Sequence, residues 1–422
     1  LDLILSAVEV ALRDPLRTIR DLFYFPQNAE GESLLYFCGN SLGLQPKNVR
    51  QYVLQELDDW AKYGVEGHFH AKNPWMPYHE LLTEQMAGIV GAMPVETVVM
   101  NTLTTNLHLM MASFYRPTPE RYKILIESDA FPSDRYAVAS QAQWHRFDPS
   151  DAVLELRPRS GEVLIRAEDI ASTLEQEGSK IALVMLGGVN YYTGQVFDFK
   201  EIARMAHAQG CMVGFDMAHG AGNIPLQLHD SGADFAVWCT YKYLNAGPGN
   251  LAGCFVHERH ARHFDLPRFA GWWGHNKTTR FNMRYAFDPL PGAEGWQLSN
   301  PPILSLAALR ASLDVFTQAG GIGVLREKSV ALTRYMEALL LQLPTDRIQI
   351  ITPAGPEQRG CQLSIQVRNA DKSLHERITA AGVISDWREP DVIRVAPVPL
   401  YNSFQDVADF VERLRTCLEV AG

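Results

Sequence analysis

The sequence predicts an α/β protein, with a large domain built on a mostly parallel sheet and a smaller α+β domain behind it. Three observations carry this. Between about residues 75 and 290, short apolar stretches alternate with amphipathic helical ones. Two of the stretches, Lys123–Glu127 (K-I-L-I-E) and Ile181–Leu186 (I-A-L-V-M-L), are apolar on successive residues, as strands covered on both faces by helices are. Past the Pro/Gly-rich Pro289–Gly292 the texture changes to long helices followed by short strands.

Residues 1–70 read as a mostly helical segment that packs on the smaller domain, residues 71–290 as the large domain and residues 291–422 as the small one. After Ile181–Leu186 comes a helix with marked ends. Asp198 is its N-cap, with Glu201 three residues on. Phe199, Ile202, Ala203 and Ala206 form its apolar stripe, and Gly210 stops it. Cys211–Phe215 is the next strand and ends on Asp216. Phe235–Thr240 and Ala252–His257 read as two more. In the small domain, helices at Pro302–Gln318 and Gly323–Leu341 precede strands at Ile348–Thr352, Cys361–Val367 and Ile393–Ala396. A last helix spans Ser403–Leu418.

Composition narrows the function. The 422 residues are 46% hydrophobic and 20% charged, which is ordinary globular usage. The net charge of −10 argues against a nucleic-acid partner, which would favour a basic surface. The longest apolar run, Ile181–Val189, is too short to span a bilayer, so no membrane partner is expected. The first residues show no basic stretch followed by an apolar one, so no secretory leader is expected. Six scattered cysteines without a C-x-x-C pair point to reduced thiols and a cytoplasmic location.

Several motifs have two readings. Gly39-Asn40-Ser41-Leu42-Gly43 is a literal G-x-S-x-G, but it precedes the α/β region, so a glycine-rich turn is favoured over a serine nucleophile. His257, His260 and His263 lie three apart among Glu258, Arg259 and Arg262, and read as a solvated polar face. His68 and His70 would share a face if extended. The first group offers no completed ligand set, and a shared face at His68 and His70 leaves a metal there open with little support. Gly220-Ala221-Gly222-Asn223 lacks the third glycine and the helix of a dinucleotide loop. The informative pair is Asp216, at a strand end, and Lys242, just past another strand and flanked by Tyr241, Tyr243 and Leu244. An apolar setting makes a lysine amine a nucleophile towards aldehydes, and an acid can hold a pyridinium nitrogen protonated. Alone, the two residues leave pyridoxal phosphate as one reading among several.

Longer motifs decide among them. They are G-N-S-L-G-L-Q-P at Gly39–Pro46, M-N-T-L-T-T-N-L-H-L at Met100–Leu109, F-P-S-D at Phe131–Asp134 and G-V-N-Y-Y-T-G-Q at Gly188–Gln195. They continue with G-F-D-M-A-H, T-Y-K-Y-L-N-A-G, G-W-W-G-H at Gly271–His275, S-N-P-P-I at Ser299–Ile303 and I-R-V-A-P-V-P-L-Y-N-S-F at Ile393–Phe404. With these the chain resembles the kynureninase family, fold-type I pyridoxal-phosphate enzymes related to the cysteine desulfurases. The resemblance implies a Schiff-base lysine at Lys242, a pyridine-nitrogen partner at Asp216 and a second carboxylate at Asp134. It implies a ring-stacking Phe131 with Pro132 and Ser133 beside it, a phosphate cup at Leu103 and Thr104, and cofactor contacts at His219 and Tyr241, the latter also an acid/base. Trp272 and Asn300 are implied to reach a shared site in a homodimer, Arg394 to clamp the substrate α-carboxylate, and Ser41, His68 and Asn300 to line the substrate pocket. Gly187 departs from relatives that carry serine there. The implied reaction is hydrolysis of L-kynurenine, or its 3-hydroxy form, to anthranilate or 3-hydroxyanthranilate and L-alanine, in tryptophan catabolism and NAD-related metabolism. Another fold-type I enzyme, a desulfurase or aminotransferase, is the alternative; a serine hydrolase on Ser41 stands further off.

Overall fold

In the computed structural model, residues 14–283, 285–344 and 346–419 are described. The large sheet has seven strands: β1 Thr97–Met100, β2 Lys123–Glu127, β3 Val153–Leu156, β4 Ile181–Gly187, β5 Met212–Asp216, β6 Phe235–Cys239 and β7 Ala252–Val256. Their order is β1-β7-β6-β5-β4-β2-β3. Strands β3, β2, β4, β5 and β6 are parallel, and β7 runs against both its neighbours. The central strands β4 and β6 are buried, save Gly187 at the end of β4, because helices cover both faces, which is why they read as unbroken apolar runs. The edge strand β3 escaped the sequence reading because it is only half covered and carries Glu155. The short β1 escaped it because it follows Pro94 within three residues.

Helices α1 (Val49–Tyr63), α2 (Leu103–Phe114), α3 (Pro132–Trp144), α4 (Phe199–Ala208), α5 (Ile303–Gln318), α6 (Gly321–Leu340) and α7 (Phe404–Glu419) frame the sheets. Asp198 caps α4 by accepting the Glu201 N–H at 3.0 Å, while the Glu201 side chain turns to Arg204 rather than back to the cap. Helix α5 buries Leu306, Leu309, Leu313 and Phe316 in the same core as Phe215 of β5 and Leu244 after β6. Removing a side chain of the size of Phe316 from water contributes about 1.5–3 kcal/mol. The Ser312 hydroxyl of α5 donates to the Leu244 carbonyl at 2.6 Å, tying this helix to the loop after β6.

The second sheet is antiparallel: β8 Ile348–Ile350, β9 Leu363–Val367, β10 Asp386–Arg388 and β11 Val392–Val395, in the order β10-β11-β9-β8. Its core joins Leu363, Ile365, Ile393 and Val395 to Leu332 and Met336 of α6 and Phe410 and Leu414 of α7. The early segment Leu35–Tyr36 pairs in parallel with Val383–Ile384, and Cys38 bridges to Ala396.

Two histidine readings change. His68 lies on the helical turn Gly67–His70, so it does not share a face with His70 as it would if extended. His260 is buried, meets the Phe114 ring edge-on and pairs with Asp234 at 2.8 Å, because the turn after β7 folds inward. Glu96, His229 and His257 bring three ligand-type atoms together, yet Glu96 Oε1 already accepts the Glu258 N–H and His257 Nδ1 the Arg259 N–H. No helix among the described residues is long and apolar enough to cross a membrane.

Candidate active site

Parallel strands end together, and their carboxyl ends gather side chains from several strands at one edge. Here β2 ends on Glu127, β4 on Gly187 and β5 on Asp216, while Tyr241 and Lys242 follow β6 directly. These residues, with Leu103, Thr104, Phe131, Ser133, Asp134, Val189, Tyr191, Ala218 and His219, line one pocket. Lys242 is half-buried, with Nζ 5.7 Å from the centre of the Phe131 ring. The Phe131 ring meets Tyr191 edge-on at 5.4 Å. Helix α3 starts at Pro132, which places Asp134 in its first turn and aims it at Asp216. Helix α2 begins at Leu103 with no side-chain cap, so its first-turn N–H groups stay open beside the Thr104 hydroxyl, 2.8 Å from that of Ser133. An uncapped helix start of this kind suits a phosphate.

Burial sets the charges. Asp134 and Asp216 are both held above the usual carboxylate range by burial, with Lys242 opposing. Two carboxyls so close share a proton rather than both ionising. Asp216 Oδ1 accepts the Ala218 N–H at 2.7 Å, which fixes its orientation. His219 is pushed well down by burial and by Lys242, so it is neutral. Burial raises the Tyr241 phenol to about 12 and Glu127 to about 7.

The turn Gly39–Gly43 presses on this loop. Gly43 N–H donates to the Tyr241 carbonyl at 2.8 Å. A Cβ on Gly43 would meet the Lys242 carbonyl oxygen at 2.3 Å, and one on Gly39 the Tyr401 hydroxyl at 2.4 Å. Both glycines of the G-x-S-x-G motif therefore serve close approach, and no strand-to-helix elbow surrounds Ser41. Ser41 is exposed and outside the pocket wall. Asn40 donates to Gln362, whose amide donates to the Tyr191 carbonyl at 3.1 Å.

Arg394, on β11, is fully buried and donates to the Tyr191 carbonyl at 2.5 Å, so it stands behind the pocket wall. It also contacts the Asp386 carboxylate, while burial pulls the guanidinium down to about 10. His68 Nδ1 bonds to the Val65 carbonyl at 2.9 Å, and its ring lies edge-on to Trp75. Trp272 and Asn300 are exposed; Trp272 lines a separate hollow with His275 and Tyr285. Within one chain, then, the lysine pocket gathers nine of the named residues and leaves out Pro132, Ser41, His68, Trp272, Asn300 and Arg394. A larger groove of 760 Å³ lies beyond the Gly39–Gly43 turn, but its lining, which includes Tyr24, Leu44, Asn245 and Ala308, holds no ionisable group besides tyrosines. Sequence reasoning passed over Glu127 and Tyr191. The signal for Glu127 was an acid ending an apolar strand, the same signal that marked Asp216.

Buried polar atoms without a partner include Asp134 Oδ1 and His219 Nδ1, both on residues that line this pocket. Buried polar atoms are normally satisfied, so these await a polar ligand. An amine, an acid pair, an aromatic face and an open helix start fit an aromatic aldehyde that carries a phosphate.

Comparison with known proteins agrees. A family model for the kynureninase C-terminal domain matches residues 325–414. A kynureninase of Myxococcus xanthus is 61% identical over 401 residues, covering 95% of this chain and 94% of the relative. One from Koribacter versatilis is 59% identical, covering 96% of each chain. Among solved structures, a cysteine desulfurase from Thermococcus onnurineus superposes with a TM-score of 0.75 at 16% identity, covering 99% of both chains. A cystine C–S lyase in complex with cysteine persulfide superposes at 0.76 and 17% identity, covering 90% of this chain and 97% of its own. These two share the fold-type I architecture with this chain. Identity above one half across nearly the whole length, together with a pocket that brings an amine and paired acids to the ends of parallel strands, places the chain in the kynureninase family.

Proposed function

We propose that this chain uses pyridoxal phosphate to hydrolyse the Cβ–Cγ bond of L-kynurenine, or of its 3-hydroxy form, releasing anthranilate or 3-hydroxyanthranilate and L-alanine. The observation that carries the reading is the Lys242 amine placed beside Phe131, the Asp134–Asp216 pair and a neutral His219 in one pocket. When bound, pyridoxal phosphate supplies an electron sink for carbanions formed on the substrate.

The protein's own residues divide the remaining work. Lys242 Nζ would hold the cofactor through its aldehyde, and its free amine would move the proton at substrate Cα. Of the acid pair, Asp216, whose Oδ1 is fixed by the Ala218 N–H, would hold the proton on the ring nitrogen. Asp134 shares that proton load from the start of α3. The first-turn N–H groups of α2 and the hydroxyls of Thr104 and Ser133 bind the phosphate. Phe131 would cover a ring face, with Pro132 at the start of α3 following it. His219 offers Nδ1 as a hydrogen-bonding group. Tyr241, kept protonated by burial, gives and retrieves a proton at the γ-carbonyl oxygen as water adds. Arg394 would bind the α-carboxylate through its planar fork by exchanging its contacts with the Tyr191 carbonyl and Asp386 for the substrate.

Ser41, His68, Trp272 and Asn300 belong to a pocket completed by a second copy of the chain. The support for a homodimer is the run of exposed apolar side chains at Phe264, Phe269, Trp272, Phe281, Met283 and Tyr285. A cytoplasmic setting is supported by six unpaired cysteines. A desulfurase would use a thiolate, whereas burial raises the Cys38 thiol to about 11. The enzyme serves tryptophan breakdown or the supply of NAD precursors.

The test is direct. Protein loaded with pyridoxal phosphate should absorb in the near-visible, borohydride should fix the cofactor on the Lys242 peptide, and kynurenine should yield anthranilate and alanine in equal amounts. A protein that loads but forms no anthranilate, or that forms it without the cofactor, would overturn the reading.

A further inference from the structure

Glu127 has no part in the scheme above, yet it lines the same pocket with its side chain buried. Among the described residues no lysine or arginine forms an ion pair with it. Its two oxygens both accept the single Gly187 N–H, each at 3.1 Å. A Cβ built on Gly187 would lie 2.6 Å from Glu127 Oε1, closer than real side chains approach. The carboxyl of one strand therefore fills the place of a side chain on the next. That place adjoins Asp216, because Gly187 pairs with Asp216 in the β4–β5 register.

The charged groups facing Glu127 are few. Asp216 faces it from β5 and Asp134 from α3, while Lys242, after β6, lines the same pocket and faces those two acids; burial and Lys242 push His219 well down. Three carboxyls share a buried pocket with one amine, and three such acids do not all ionise together. Burial lifts Glu127 to about 7, against the pull of the Gly187 N–H. A group placed so changes charge near neutrality, next to the acid that serves the ring nitrogen.

We propose that Glu127 is a positioning residue of the cofactor pocket: through the slot left open by Gly187, its carboxyl sets the charge carried by the Asp216–Asp134 pair. The inference rests on the pyridoxal-phosphate reading. Removing its charge should lower the pH at which the Lys242-linked chromophore loses its proton, because a nearby anion favours the cationic form. Filling the slot at 187 while Glu127 remains should displace both.

The experiment uses cofactor-loaded wild type, Glu127→Gln, Gly187→Ser and the double variant Gly187→Ser/Glu127→Ala. Two readouts are taken: the pH midpoint of the bound cofactor's absorbance, and cofactor retained at equilibrium dialysis. Glu127→Gln should keep its cofactor and shift the midpoint down by about half a pH unit or more. Gly187→Ser alone should weaken retention about tenfold through overpacking. The double variant should recover most of that loss, because the serine then has room. An unchanged midpoint in Glu127→Gln, or a double variant that retains no more cofactor than Gly187→Ser, overturns the proposal. Wild type that fails to take up the cofactor on Lys242 would overturn the pyridoxal-phosphate reading itself, a different result from either.

Discussion

Replacing Gly43 by alanine tests whether the turn Gly39–Gly43 holds Lys242 in register. The added Cβ would lie 2.3 Å from the Lys242 carbonyl oxygen and 2.2 Å from Asn245 Oδ1. A relaxed carbon–oxygen contact is close to ~3.3 Å, so one side must give by about 1 Å. Asn245 has no room to swing: it is buried, its N–H donates to the Lys242 carbonyl at 3.0 Å and its side chain donates to the Tyr243 carbonyl at 3.0 Å. The lysine loop is pinned at Leu244 by Ser312 as well. The strain therefore falls on the Tyr241–Lys242 backbone or on the turn. Overpacking of this kind costs about 1–3 kcal/mol of stability. A displacement of about 1 Å at a reacting group lowers kcat on the order of 10²-fold. The assay measures kcat on kynurenine, cofactor content by absorbance, and thermal unfolding, beside a Ser41→Ala control. Ser41→Ala should raise KM and leave kcat within about threefold, since that hydroxyl is exposed. A Gly43→Ala enzyme with wild-type kcat would refute the reasoning, and a dead Ser41→Ala would point instead to a serine nucleophile.

Asp216→Asn keeps the oxygen that accepts the Ala218 N–H but loses the charge, so kcat should fall about 100-fold or more with the melting temperature little changed; equal kcat would remove Asp216 from the ring nitrogen. Arg394→Lys keeps a cation but not the planar fork, so kcat/KM should fall about 10- to 100-fold through KM while cofactor content stays constant; unaltered kinetics would move the clamp elsewhere. Glu294 pairs with Lys277 at 2.7 Å and His79 at 3.1 Å, and is held at about 2 despite its burial. Its depressed value means that it contributes stability above its unfolded value near 4.5, on the order of 3 kcal/mol, which is lost as pH falls from 4.5 towards 2. Glu294→Gln should flatten the acid limb of a stability–pH curve, and parallel curves for the two proteins would contradict the pairing.

The large sheet was legible because its strands are covered on both faces, so burial wrote itself into unbroken apolar runs; β4 and β5 were placed to within a residue. Strands with one face open, such as β3, carried no such signature. The lysine and the acid of the site were legible for a related reason: each is a charge at the end of an apolar strand or just past it. Glu127 met the same rule and was passed over because only its strand was read. Features that depend on distant backbone were not legible. Gly43 and Gly187 look like any loop or strand glycine until the Lys242 carbonyl and the Glu127 carboxyl are seen in the space a side chain would fill. The burial of His260 likewise depends on Asp234 and Phe114, neither of which is near it in the chain.

The parallel pairing of Leu35–Tyr36 with Val383–Ile384, continued by the bridge from Cys38 to Ala396, bears on the order in which the molecule is made. Strands β1 to β7 can associate while the ribosome is still adding α5 and the second sheet. The turn that presses on Lys242 hangs from the Leu35–Tyr36 segment, whose partner strand emerges only after the whole large sheet, as does Arg394. Pairings of such high sequence separation form late, since loop closure must precede them. A nascent chain stalled before residue 383 would hold a folded sheet carrying Lys242 and Asp216, but neither the support for its lysine nor the arginine behind Tyr191. The lysine and the acid are thus placed by one stretch of chain and their support by another, far downstream in sequence.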